Sequence, residues 1–169
     1  AADRNRFPVV IEDLNFETGA GSTDGTLVGQ PVLGIDHHSA ALGTAVELEE
    51  HGTDLIFLCF GMNESFGGAA RVDRYRDALG EFVEKLQGHQ FNGRSTPRIV
   101  LVSPIAHETV IGDRSTPIEH NQNLRLYTEA MAQVARQHKA VYVDLFSPTL
   151  KWIADHDDKK LTINGIHLS

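Results

Sequence analysis

Apolar and polar positions alternate between two regimes along this chain. "DLIFLCFG" (54–61), "RIVLVSP" (98–104) and "AVYVDLF" (140–146) are short, nearly continuous apolar runs, and "PVVIEDLNF" (8–16) reads as a further strand. Runs of this length and continuity predict strands buried on both faces, as in a parallel sheet. Between them the period lengthens. In "RVDRYRDALGEFVEKLQGH", Val72, Tyr75, Leu79, Phe82, Val83 and Leu86 fall on one helical stripe. Leu124, Tyr127, Met131, Val134 and Ala135 do the same in "EHNQNLRLYTEAMAQVARQH". A weaker helical pattern covers 39–52, with Gly52 placed to stop it.

Strands alternating with helices predict crossover units, hence an α/β fold: a three-layer α/β/α sandwich around a mainly parallel sheet. There is no internal repeat, low-complexity tract or Pro-rich linker, so residues 1–169 read as one domain. In such sheets ligands bind beyond the carboxyl ends of the strands. The segments to search are therefore "GMNESFGG", "SPIAHET" and whatever follows the last strand.

Composition narrows the partners. Charged residues are 22% of the chain and hydrophobic residues 41%, an ordinary globular balance. Fifteen Lys and Arg against 23 Asp and Glu leave a net charge of −8, which argues against nucleic acid or an anionic membrane. No apolar run is long enough to span a bilayer. Cys59 lies within "LIFLCF" and reads as a small core residue.

Two polar residues stand where chemistry is expected. Asn63 follows a strand that ends in Gly, so its carboxamide could donate to a developing oxyanion; it could equally cap the turn. His167, in "LTINGIHLS", follows an Asn164-Gly165 turn signal and could serve as a general base; it could equally be a packed, hydrogen-bonded residue. The Gly-rich "GAGSTDGTLVG" (19–29) has neither dinucleotide nor P-loop spacing, so a nucleotide-binding domain is disfavoured. A glycine there could still present a backbone N–H to a substrate oxygen. The other histidines show no zinc-type spacing, so no metal is expected; His107, just after a strand, could line a pocket.

Taken in order on an α/β pattern, "GMNE" (61–64) and "NGIHLS" (164–169) resemble the Gly-x-Asn-Asp/Glu and Asp-x-x-His-Leu blocks of the SGNH hydrolases, the GDSL-type esterases and lipases. "RIVLVSPIAHE" and the segments after it are similar to an esterase branch found in planctomycete-type bacteria. The resemblance implies a flavodoxin-like fold and cofactor-free ester hydrolysis. It assigns Asn63 to the oxyanion and His167 to activation of a nucleophilic Ser. Gly25 in "TDGT", with Gly21 a close rival, becomes the second oxyanion donor.

The chain departs from that pattern twice. It has no Gly-Asp-Ser tripeptide, and none of its serines stands at a strand-to-helix turn ahead of the Gly-rich loop. The resemblance thus places the nucleophile and first strand before residue 1, and a closing helix after Ser169, making this a partial domain that is inert alone. Second, Asn164 stands where the family has the Asp that orients the His. A neutral amide stabilises an imidazolium less well than a carboxylate and can hold the wrong tautomer. A backbone carbonyl, Asp157 or Asp158 are alternative supports. The expected substrate is a small-molecule or carbohydrate ester; the competing expectation is a binding domain that keeps the scaffold without the chemistry.

Overall fold

The computed structural model describes residues 48–110, 117–156 and 158–169, together with three short strands, β1 (Val9–Ile11), β2 (Leu14–Asn15) and β3 (Val32–Leu33). Strand β1 joins β4 (Leu55–Cys59), β5 (Arg98–Val102) and β6 (Val141–Val143) in a parallel sheet of order β1-β4-β5-β6. The stretch 8–16, read as a single strand, contributes instead to two sheets, because β2 pairs antiparallel with β3. Between β4 and β5 run a one-turn helix α1 (Met62–Ser65), a 3-10 turn (Ala69–Arg71) and α2 (Val72–Gln87); α3 (Pro117–Gln137) links β5 to β6. The α/β reading with a mainly parallel sheet therefore holds.

The predicted stripes meet in one core. Ile56 and Leu58 of β4 and Ile99 and Leu101 of β5 pack with Tyr75, Leu79, Phe82, Val83 and Leu86 of α2 and with Tyr127, Met131, Val134 and Ala135 of α3. Burying side chains of this size contributes about 1.5–3 kcal/mol each, so this cluster carries the stability of the sheet. Burial on both faces, expected of all three apolar runs, holds for β5, where Ile99, Val100 and Leu101 are all buried. It fails for β6, which stands at the end of the sheet order among the described strands and whose Val141 and Val143 are exposed.

Gly52 ends the helical turn at 48–50 as its position predicts. With φ at +57°, it donates its N–H to the Glu49 carbonyl while Thr53 donates to Leu48, a Schellman stop. Helix α3 begins at Pro117, two residues before the reading from periodicity, and a proline at the first helical position loses no hydrogen bond. A further helix, α4 (Phe146–Asp155), starts inside the segment read as strand. Its first N–H groups are taken by neighbours: the Ser103 hydroxyl accepts from Leu145 and Phe146, and the Asp144 carboxylate accepts from Ser147.

Candidate functional site

The Asn63 turn stands at the carboxyl end of β4. Gly61 adopts φ +107°, and a Cβ there would lie 3.3 Å from both Pro104 Cδ and the Tyr75 hydroxyl, so only glycine lets the chain leave the sheet at this angle. Its N–H donates to Glu64 Oε2 at 2.8 Å, which explains the acidic residue of "GMNE" as the closure of the turn. Asn63 then projects to the surface from the first turn of α1. Beneath it Met62 packs on a second apolar cluster of Ala106, Leu124, Phe146, Leu150 and Ile153, which ties α1 to α3 and α4.

His167 rides on a hairpin-like loop at the chain's end. Thr162 and Leu168 form an antiparallel bridge, Ile163 donates to the His167 carbonyl at 2.8 Å, and Ser169 donates to the Leu161 carbonyl. The loop is anchored on the segment after β5, at that strand's carboxyl end. Glu108 N–H donates to the Gly165 carbonyl at 2.9 Å. The buried Glu108 carboxylate accepts from the N–H groups of Leu161 and Thr162 and, at 2.6 Å, from the Thr162 hydroxyl. Burial acts to raise the Glu108 carboxyl, but those three donors and the nearby Lys160 charge outweigh it and hold the group below its usual range.

Asn164 is the partner of the His167 ring. Its Oδ1 accepts from the His167 backbone N–H at 3.0 Å and lies 3.0 Å from His167 Nδ1. A backbone N–H can only donate, so the atom facing it is the amide oxygen, and that same oxygen must accept from Nδ1. The ring is thereby held with Nδ1 protonated and Nε2 as the bare, basic nitrogen. A neutral amide thus suffices to fix the tautomer of this ring. Of the alternative supports, Asp158 is exposed and forms no hydrogen bond or ion pair with the imidazole, and Asp157 lies outside the described residues. Gly25 and Gly21 also lie outside them.

His107, just after β5, lies inside the fold. It is buried, with its Nδ1 2.8 Å from His120 Nδ1, and His120 Nε2 is 2.7 Å from the Ser65 hydroxyl. Ser65 and His120 thus have the separation of a nucleophile and its base, but Ser65 is fully buried, His120 is 5% exposed, and the Phe66 ring stacks on His120 at 3.9 Å. No substrate carbonyl reaches that pair, which is a piece of the interior. Asn63 and His167, by contrast, are both exposed, on segments that follow the carboxyl ends of adjacent strands β4 and β5 or are anchored there.

Reasoning from sequence missed the supports: Glu108, His120, Asn121 and Thr162. One signal was available. His120 sits four residues before Leu124 and continues the buried stripe of α3, so a polar side chain was due to enter the core there. Nothing local marked Glu108, whose partners are more than fifty residues away.

A sequence profile described as the GDSL-like Lipase/Acylhydrolase family matches residues 11–169. No curated protein matches the chain significantly. Among solved structures, the M. smegmatis aryl esterase is similar over 83% of this chain and 65% of its own length, at 14% identity and a TM-score of 0.56. A peptidoglycan O-acetylesterase is similar over 75% of this chain and 35% of its own, at 15% identity and a TM-score of 0.54. An acetylxylan esterase from Geobacillus stearothermophilus is similar over 76% and 58%, at 16% identity and a TM-score of 0.50. The chain therefore spans between about a third and two thirds of these proteins, and at such identities the likeness is one of fold.

Proposed function

The chain belongs to the GDSL-like lipase/acylhydrolase family, and we propose that the protein carrying it hydrolyses carboxylic esters through an acyl-enzyme. In this reading a serine Oγ–H passes its proton to His167 Nε2 as the oxygen bonds the ester carbon. The carbonyl oxygen becomes an oxyanion that accepts from the Asn63 amide and the Gly25 N–H. His167 returns the proton to the departing alkoxide, and water repeats the sequence to release the acid. Asn164 holds the His167 ring throughout. No serine of the chain stands in a Gly-Asp-Ser setting, so the nucleophile comes from outside residues 1–169, and this chain alone is inert.

The observation that carries the reading is the exposed His167 ring with its Nδ1–H on Asn164 Oδ1, which leaves Nε2 as a base directed by a fixed partner. A binding domain that had lost the chemistry has no need of that tautomer. Two of the structural neighbours are named for acetyl esters of carbohydrates, and that substrate class is proposed here as well.

The test is p-nitrophenyl acetate hydrolysis by the full natural polypeptide that carries these residues, followed by acetylated xylo-oligosaccharides. Asn63→Ala is expected to lower kcat by roughly 10²–10³, and His167→Ala by at least as much. Wild-type activity in both variants would defeat the assignment.

A further inference from the structure

We propose that Ser65, His120 and His107 form a directional hydrogen-bond relay that registers the Asn63 turn against the His167 loop, making all three positioning residues for the site. The direction follows from the acceptor at one end. Ser65 Oγ is 2.6 Å from the Met62 carbonyl oxygen, which can only accept, so the hydroxyl proton points there. The lone pair left on Ser65 Oγ must then accept from His120 Nε2–H at 2.7 Å. His120 Nδ1 is therefore bare and accepts from His107 Nδ1–H at 2.8 Å. The donors run in one sense from the segment after β5, through α3, to the turn that bears Asn63.

Both ends of the relay are tied down. Asn121, next to His120 on α3, accepts from the His107 backbone N–H and donates to the His107 carbonyl, each at 2.8 Å. Adjacent residues of one helix thus grip both the ring and the backbone of His107. The far edge of that ring meets the His167 loop: a Cβ on Gly165 would lie 2.8 Å from His107 Nε2. At the other end Ser65 closes α1 two residues after Asn63. Each member of the relay is buried, so its hydrogen bonds cannot be exchanged for water without opening the structure.

The catalytic consequence rests on the esterase reading; the geometry does not, and the tests separate the two. In the ¹⁵N NMR spectrum of the wild-type natural polypeptide, His120 is expected to be protonated at Nε2 and bare at Nδ1, with His107 protonated at Nδ1. A His120 protonated at Nδ1 would overturn the relay, and this arm needs no variant. Ser65→Ala removes the acceptor of His120 Nε2–H. The loss of one buried partner is expected to speed exchange of the Glu108 amide, which bonds the Gly165 carbonyl, by about tenfold. Ester turnover should fall by about tenfold in kcat with KM within about twofold, because the substitution displaces catalytic groups and not a binding surface. Thr53→Val, which deletes a buried hydroxyl without a partner at the amino end of β4, should change neither. Unchanged exchange at Glu108 in Ser65→Ala overturns the proposal. A wild type without esterase activity defeats the functional reading alone.

Discussion

Replacing Gly165 with Ala tests the anchoring of the His167 loop at a single atom. The residue has φ +97°, and an L side chain held there costs about 1–2 kcal/mol. The added Cβ would also meet the Glu108 carbonyl oxygen at 2.9 Å and His107 Nε2 at 2.8 Å. Neither neighbour yields easily: one is backbone, and the other belongs to a ring held by His120. Relief requires Gly165 to move away, which breaks the Glu108 N–H bond to its carbonyl, worth about 0.5–1.5 kcal/mol net. The sum is about 1.5–3.5 kcal/mol against the docked loop. Since about 1.4 kcal/mol is a factor of ten, the docked population is expected to fall by about 10- to 300-fold relative to open forms. The start of the loop stays tethered through the Glu108 carboxylate, and the main core lies elsewhere, so the urea midpoint should move little. The assay pairs amide exchange at Glu108 and His167 with kcat for p-nitrophenyl acetate in the full natural polypeptide. Faster exchange at both amides with at least a tenfold loss in kcat is expected. Wild-type exchange and turnover in Gly165→Ala would refute the claim that this contact sets the position of His167.

Four further outcomes follow from the structure. Glu108→Gln keeps the shape but turns an amide donor toward the Leu161 and Thr162 donors, and should destabilise the loop by about 1.5–3 kcal/mol, read as faster exchange of the Thr162 amide. Because the Glu108 carboxyl is held below its usual value in the folded chain, its stabilisation is complete above the unfolded carboxyl range and is lost as pH falls through the folded value. Wild-type loop exchange should therefore accelerate below about pH 4 while Glu108→Gln does not. Asn164→Asp preserves the oxygen that faces His167 N and Nδ1, so turnover should stay within a few-fold, whereas Asn164→Leu removes it and should cost at least about tenfold; equal rates in both would show that the ring needs no partner. Lys139 occupies the left-handed stop of α3 at φ +54°, with the Ala140 N–H bonded to the Ala135 carbonyl, and Lys139→Gly should raise stability in urea by about 0.5–1 kcal/mol.

Much of the scaffold was legible along the chain because periodicity reports which face of an element is buried. The stripe from Val72 to Leu86 and the one from Leu124 to Ala135 both became core, and Gly52 ended its helix where a left-handed residue was required. Asn63 and His167 could be singled out as candidates because each stands just after a glycine-bearing turn signal. The Asn164–His167 pair lies within three residues, yet its meaning depended on which amide atom faces the ring, a matter of geometry. Helix α4 was hidden because its start is capped by Ser103, some forty residues earlier, while its first residue, Phe146, completes an apolar run that reads as strand.

What only the tertiary structure decided is how the two candidate residues are held. A buried histidine on α3, a glutamate after β5 and a glycine of the final loop carry no shared local pattern, since their hydrogen bonds join segments 13 to 57 residues apart. Helical and strand periods arise from short-range backbone geometry and can be read from spacing. A polar contact across the fold depends on which backbone donors and acceptors the packed elements bring within about 3 Å of each other, and that is settled only when the core closes.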